Sequence, residues 1–167
     1  MNDLTKLFFG LALTVGLVLP SSAHAQLQSV KQTVFGMDCA PCAYGLENQM
    51  KSFEGVTSVS VSLNDGLATL QFAPENNLRL EKLRTAIEES GFSARGAQVE
   101  VAGTLRNEDD RWTLVTPSGE RFVLDTTEKP ESLTTDARAV VTGTVPKESA
   151  ASGHGWTLRV KSVRAAT

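Results

Sequence analysis

The sequence is poor in the residues on which several protein classes depend. Only two of its 167 residues are cysteines, two are histidines, and aromatic residues make up 6%. Two cysteines cannot hold a disulfide scaffold together, but they can form one bridge, one redox couple or one metal site. The sequence also lacks a Gly-X-Y period, which excludes a collagen-like fibre. The position of the two cysteines therefore matters most.

An excess of charge of one sign is also lacking. Lys and Arg number 16 and Asp and Glu number 19, which gives a formal net charge of −3. Nucleic acids and anionic lipids select a basic face, so this balance argues against nucleic acid as a partner. The sequence shows no nucleophile–base–acid set, phosphate-binding loop or paired-carboxylate signature, and we predict that the protein is not an enzyme.

Residues 1–25 have the three-part pattern of a secretory signal. Lys6 is followed by the apolar run Leu7–Leu19 and by the small-residue site Ala23-His24-Ala25. The apolar run is shorter than the roughly 20 residues that span a bilayer. We therefore expect cleavage after Ala25, no stable membrane insertion afterwards, and a periplasmic or secreted protein that keeps both cysteines.

Residues 26–98 alternate between the strand period and the helix period. A helix is expected from near Ala40, with Leu46, Met50 and Phe53 on one buried face, and a second helix from about residue 79 to residue 90. The turn Asn64-Asp65-Gly66 predicts a hairpin between them. The resulting order is βαββαβ, the arrangement of ferredoxin-like domains.

Apolar residues do not recur at helical spacing in residues 99–167. Five short runs with strand alternation follow one another, which predicts a small all-β domain, an OB-like five-stranded barrel. Gly103 and Gly143 each precede a tryptophan-led strand, and a glycine inside a strand permits the bend that a closed barrel needs. Trp112 and Trp156 are predicted to lie in the barrel core rather than to form a binding platform.

Both cysteines lie in the segment Gly36-Met37-Asp38-Cys39-Ala40-Pro41-Cys42, between the first strand and the first helix. Two cysteines three residues apart at a helix start can direct both sulfurs to one point, and the helix N-terminus favours thiolates there. Thiolates are soft ligands that suit Cu(I), Zn(II) and heavier thiophilic ions. Met37 is predicted to point into the core as a flexible plug and not to act as a ligand.

Residues 30–98 resemble the heavy-metal-associated domain family of copper chaperones, periplasmic mercury-binding proteins and N-terminal modules of metal-exporting ATPases. The resemblance rests on Gly36-Met37-x-Cys39-x-x-Cys42, on Phe53-x-Gly55-Val56 and on Gly91-Phe92. It implies a ferredoxin-like fold and one metal ion held by Cys39 and Cys42. It further implies transfer of that ion by ligand exchange to a metal-exporting ATPase or another metal acceptor. Phe92 is expected to pack under the metal loop.

Asp38 stands where copper-handling members of this family commonly have Thr and where zinc, cadmium and lead modules often have Asp. Two thiolates are a sufficient ligand set for Cu(I), whereas Zn(II) takes about four ligands and accepts a carboxylate. Asp38 is therefore expected to be a third ligand or the cap of the helix, and both roles can coexist. The expected cargo is Cu(I) or Zn(II), with Cd(II) and Hg(II) as other thiophilic ions.

Other roles for the cysteines stay open. A periplasmic thiol–disulfide oxidoreductase would use the same CxxC at a helix start. A purely structural bridge would close a very short loop and would stabilise little. His154, in a glycine-rich turn far from the pair in sequence, is expected to be solvated rather than a metal ligand.

Overall fold

The computed structural model describes residues 26–108, 110–126, 134–149 and 155–166. The expected signal segment and His154 lie outside these ranges. None of the helices in these ranges has the length and apolar character needed to cross a bilayer. The elements are β1 (Leu27–Phe35), α1 (Ala40–Lys51), β2 (Val56–Ser62), β3 (Leu67–Phe72), α2 (Leu80–Glu89), β4 (Ser93–Glu108), β5 (Arg111–Val115), β6 (Arg121–Asp125), β7 (Arg138–Val145) and β8 (Trp156–Ala165).

The first six elements confirm the predicted βαββαβ order. Their strands form an antiparallel sheet in the order β2-β3-β1-β4. The apolar face of each helix is buried as its period predicts, with Leu46 and Met50 on α1 and Leu80, Leu83 and Ile87 on α2. Along β1 the buried residues alternate with exposed ones, so Val30 and Val34 face the core. This half is the ferredoxin-like fold that the periodicity predicted.

The five strands predicted for the second half are present and close into a barrel. The barrel runs β4-β5-β6-β8-β7 and returns to β4, with β6 and β8 parallel and the other pairs antiparallel. The sequence predicted one strand ending near Gln98 and another beginning at Val99. The structure shows a single strand, β4, because no turn residue interrupts the alternation there. β4 pairs with β1 on one side and with β7 on the other, so both halves share it.

The two strand glycines lie where backbones approach closely. A Cβ at Gly103 would lie 2.6 Å from the Val115 carbonyl oxygen, and one at Gly143 would lie 2.4 Å from that of Arg159. Real Cβ atoms do not approach a carbonyl so closely, so glycine is required at both positions. Trp156 is buried in the core and Trp112 is half-buried against it.

A buried polar network joins α2 to the barrel. Glu120, in the β5–β6 turn, accepts hydrogen bonds from the backbone N–H groups of Leu80 and Glu81 at 2.9 and 3.1 Å. It also accepts one from the indole Nε1 of Trp156 at 2.7 Å. The α2 N-terminus, which has no cap from its own N-cap side chain, is therefore capped by the barrel.

Arg84, a buried residue of α2, lies at the same junction. Its guanidinium stacks over the Trp156 ring, 5.0 Å from the centroid, and donates to the carbonyl groups of Ser149, Ala94 and Lys147. Burial lowers the pKa of Arg84, and the Glu88 carboxylate opposes that shift. The Trp156 indole thus contacts both the buried Glu120 carboxylate and the buried Arg84 guanidinium, and the two halves share one continuous core.

Candidate metal site

The loop between β1 and α1 is shaped by the residues that precede the cysteines. Gly36 adopts a φ of +89°, a conformation that L side chains rarely adopt, and it turns the chain out of the sheet. The next residue, Met37, is buried at 6% exposure, which confirms the prediction that it plugs the core. The loop therefore has a fixed base, and the two cysteines follow directly on it.

Cys39 and Cys42 lie together at the start of α1. Cys39 has an extended backbone and is the N-cap of the helix, and its Sγ accepts a hydrogen bond from the Cys42 N–H at 3.1 Å. Pro41 lies in the first turn, where backbone N–H groups have no acceptor within the helix, so the N–H that proline lacks costs no helical hydrogen bond. The Cα atoms of the two cysteines are 5.1 Å apart and their sulfurs are bonded to each other. The spacing predicted from the sequence does bring both sulfurs to one point.

The prediction that Asp38 caps the helix is wrong. The helix begins at Ala40, so Cys39 is the N-cap. The sulfur of Cys39 accepts the backbone N–H hydrogen bond that a side-chain oxygen usually accepts at this position. Asp38 is exposed and makes no side-chain hydrogen bond or ion pair within the described part of the chain. No group of three or more His, Cys, Asp and Glu side chains gathers in that part either. Asp38 as a third ligand stays a prediction.

Two neighbouring segments contact the core or the strand end near the cysteine loop. The hairpin turn before β3 approaches the end of β1, since the Val34 N–H donates to the Gly66 carbonyl at 2.8 Å. Phe92 is half-buried against the core and immediately precedes Ser93, the residue of β4 that pairs with Phe35. Packing of Phe92 under the metal loop stays a prediction.

Two exposed aromatic residues close to the cysteines in sequence were not predicted. Phe35 is 63% exposed and Tyr44 is 67% exposed, and they are the exposed large hydrophobic residues of the described chain. The signal was available in the periodicity. Phe35 is out of phase with Val34 in β1, and Tyr44 is out of phase with Leu46 in α1.

In its reduced form this arrangement presents two thiolates at a helix N-terminus. Backbone N–H groups and the helix dipole stabilise negative charge there, which favours the deprotonated ligand form of cysteine. Both cysteine residues are half-buried, so an ion can reach them from solvent. The described chemistry is that of a small, soft-metal ligand pair.

Comparison with known proteins agrees with this geometry. Residues 32–93 match the heavy-metal-associated domain family. The chain is 30% identical over 59 residues to the copper chaperone CopZ of Staphylococcus aureus, covering 35% of this chain and 85% of CopZ. It is 43% identical over 61 residues to the human copper-transporting ATPase 2, covering 36% of this chain. The chain spans only 4–7% of the length of the ATPases it matches.

Among solved structures, the CopZ metallochaperone is similar with 27% identity and a TM-score of 0.37, over 40% of this chain and 97% of that chain. A copper binding domain from HMA7, a P-type ATPase, is similar with 30% identity and a TM-score of 0.38, over 44% and 93%. The sequence match, the βαββαβ fold and the cysteine loop define a protein with a heavy-metal-binding module. This chain belongs to the heavy-metal-associated domain family.

Proposed function

We propose that the protein is a non-enzymatic carrier that holds one thiophilic metal ion between Cys39 and Cys42. The observation that carries this proposal is the convergence of both sulfurs at the N-terminus of α1. Cu(I) is the first cargo we propose, because two thiolates satisfy it and because relatives with 30–43% identity are named for copper. Family membership supports this function over that of a thiol–disulfide oxidoreductase.

We further propose that residues 1–25 direct export and that the protein works in the periplasm or outside the cell. The copper-transporting ATPases among its relatives support a metal-exporting ATPase, or another metal-acceptor protein, as the partner that takes the ion. Transfer would occur by stepwise exchange of thiolate ligands.

The second half has a proposed role of support. The closed order β4-β5-β6-β8-β7, with β6 parallel to β8, supports an OB-like barrel for residues 99–167 beside a metal-binding unit of residues 26–98. Because β4 belongs to both units, the barrel acts as an internal brace for the metal-binding unit.

An anaerobic competition titration tests the proposed cargo. The reduced chain should bind Cu(I) against a chromophoric chelator, and Cys39→Ser with Cys42→Ser should abolish that binding. Glu54→Ser, an exposed change beyond the C-terminal end of α1, is the matched control and should leave the titration unchanged. Binding by the double cysteine variant equal to that of wild type would reject the proposal, whereas catalysed insulin reduction by the wild type would support the oxidoreductase.

Zn(II) is the second candidate cargo, favoured by Asp38, an exposed acidic residue that immediately precedes Cys39 in the sequence. An oxygen ligand would serve Zn(II), which takes about four ligands, more than it would serve Cu(I). Asp38→Ala should therefore lower the Zn(II) affinity by about tenfold, the order expected for one lost ligand interaction, and leave the Cu(I) affinity unchanged. An unchanged Zn(II) affinity, measured by the same competition method, would remove Asp38 from the ligand set.

A further inference from the structure

A small cavity opens on the outer wall of the barrel. Its volume is about 260 Å³, and its lining comes from β4, β5, β7 and the turn between β5 and β6. None of the residues that line it belongs to the cysteine loop. Pockets for drug-sized ligands begin at roughly 300 Å³, so this cavity suits a smaller ligand.

The strand register places Thr104 at the centre of the cavity. Thr104 pairs with Val115 of β5 on one side and with Arg138 of β7 on the other, so these three side chains lie in one row on one face. Leu105, the next residue of β4, is buried in the core, so the row lies on the outer face of the barrel. Ala102 lies on the same face two residues before Thr104, and its small side chain leaves depth between longer neighbours.

Two arginines form one end of the cavity, which we call the arginine end. Arg106 follows Thr104 by two residues on the same face of β4, and Arg138 lies opposite Thr104 on β7, so the two arginines are diagonal neighbours. Arg106 contacts the Asp136 carboxylate through Nη1. Because a guanidinium has five N–H donors, a contact of this kind leaves donors for a further acceptor. The described residues that line the cavity include no Asp or Glu.

The other end of the cavity is formed by Val115 and Pro117, and we call it the apolar wall. Val115 is half-buried in β5, and Pro117 is exposed in the turn that follows. The Thr116 hydroxyl donates to the Glu120 carbonyl at 3.1 Å, which holds this turn in place. The cavity therefore offers positive charge at one end and apolar surface at the other, with the hydroxyl-bearing Thr104 between them.

We propose that this cavity binds a small organic carboxylate. The carboxylate lies between Arg106 and Arg138, and the carbon skeleton lies against the apolar wall. Guanidinium groups bind carboxylates through paired, charge-assisted hydrogen bonds, and the contact with Asp136 shows that Arg106 directs N–H groups to a carboxylate here. An inorganic anion contacts the arginine end alone and leaves the apolar wall uncovered. Since no residue of this cavity is a candidate metal ligand, the inference stands independently of the metal ion.

An amide NMR titration of the full, metal-free chain tests this inference with benzoate and with inorganic phosphate as probes. Benzoate should produce a saturable shift at Thr104 and bind about tenfold more tightly than phosphate, because only benzoate buries apolar surface. Arg106→Gln with Arg138→Gln should raise the benzoate dissociation constant by about tenfold or more, since both charge-assisted contacts are lost. The matched control, Arg159→Gln with Lys161→Gln, removes two exposed positive charges from β8 and should leave that constant unchanged.

A cavity-filling variant separates a shaped site from simple attraction of anions to surface arginines. Thr104→Leu keeps both arginines and adds bulk at the centre of the cavity, so it should abolish benzoate binding. Benzoate binding that survives Thr104→Leu, or that is no tighter than phosphate binding, would overturn the inference. The absence of a saturable shift in the wild-type chain would overturn it as well and would leave the proposed metal binding untouched.

Discussion

The metal-binding half and the barrel half place their important residues in different ways. In the first half, the cysteines, the buried Met37 and the exposed aromatic residues all lie within eleven consecutive positions, from 35 to 45. In the barrel, Glu120 reaches Leu80 across 40 residues and Trp156 across 36. The candidate metal ligands are thus close together in sequence, whereas the junction that stabilises the fold joins residues that are far apart in sequence.

Oxidation of the cysteine pair should have the largest effect, because it should abolish metal binding and leave the stability of the fold almost unchanged. The sulfurs are bonded to each other in the structure, and a disulfide offers no thiolate to a metal ion. We expect oxidation of the reduced chain to weaken Cu(I) binding by more than about 1,000-fold, since metal binding requires deprotonated thiols. The check is a Cu(I) competition titration before and after oxidation, with the free energy of unfolding measured on both samples. Because the bridge closes so short a loop, the two unfolding values should be similar.

In the barrel half, loss of the Glu120 carboxylate should lower the stability of the fold. Glu120→Ala leaves the Leu80 and Glu81 N–H groups and the Trp156 indole N–H without their acceptor, and it should lower the free energy of unfolding by about 3 kcal/mol. Urea unfolding followed by tryptophan fluorescence measures this loss.

Glu108→Ala is the matched control for Glu120→Ala. Glu108 is an exposed carboxylate that pairs with Arg121, and its removal should change the unfolding free energy by less than about 1 kcal/mol. Equal losses for the two variants would show that the junction does not brace α2.

A smaller effect should come from the strand glycines. Gly143→Ala places a Cβ 2.4 Å from the Arg159 carbonyl oxygen, which forces β7 and β8 apart and should lower the unfolding free energy by about 2 kcal/mol. Gly45→Ala is the contrasting control, because nothing lies within 4 Å of that position and alanine suits a helix better than glycine by about 1 kcal/mol. Thermal unfolding of both variants should show opposite signs, and destabilisation by Gly45→Ala would contradict the account.

The smallest effect concerns pH and lies in the metal-binding half. The Lys51 ammonium and then the Val61 N–H lower the pKa of Glu47. Because the folded pKa lies below the unfolded value, the stabilisation is present at neutral pH and is lost as the pH falls through the folded pKa. Glu47→Gln should therefore be slightly less stable than wild type at pH 7, and the difference should vanish in acid. A difference that grows as the pH falls would contradict the stated cause.

Much of the fold could be predicted from the sequence because its periods are regular. The buried faces at Leu46, Met50 and Leu83 follow from helical spacing. Gly103 and Gly143 were expected at bends of the barrel strands, and the structure shows that strand backbones approach closely at both. The continuity of β4 across Gln98 was missed because a predicted domain boundary was imposed on an unbroken alternation. Strand alternation also does not state which strands pair, so closure of the barrel had to be observed.

The candidate site also has features that the sequence predicted and features that it did not. Cys39 and Cys42 could be predicted because both the helix start and the ligand spacing are local features. The contact of Arg95 with the Phe35 ring could not, and neither could the role of Glu120 at the barrel junction, since both residues acquire their partners through tertiary contacts. The cap at Cys39 was missed because sulfur is a rare capping acceptor, and Asp38 is the residue type that usually caps a helix.

The X-ray absorption spectrum of the reduced, copper-loaded chain tests directly whether Cys39 and Cys42 hold the metal ion, because it reports which atoms contact the metal. We expect a first coordination shell of sulfur that is lost in the Cys39→Ser, Cys42→Ser double variant. A shell of nitrogen and oxygen that persists unchanged in that variant would contradict it.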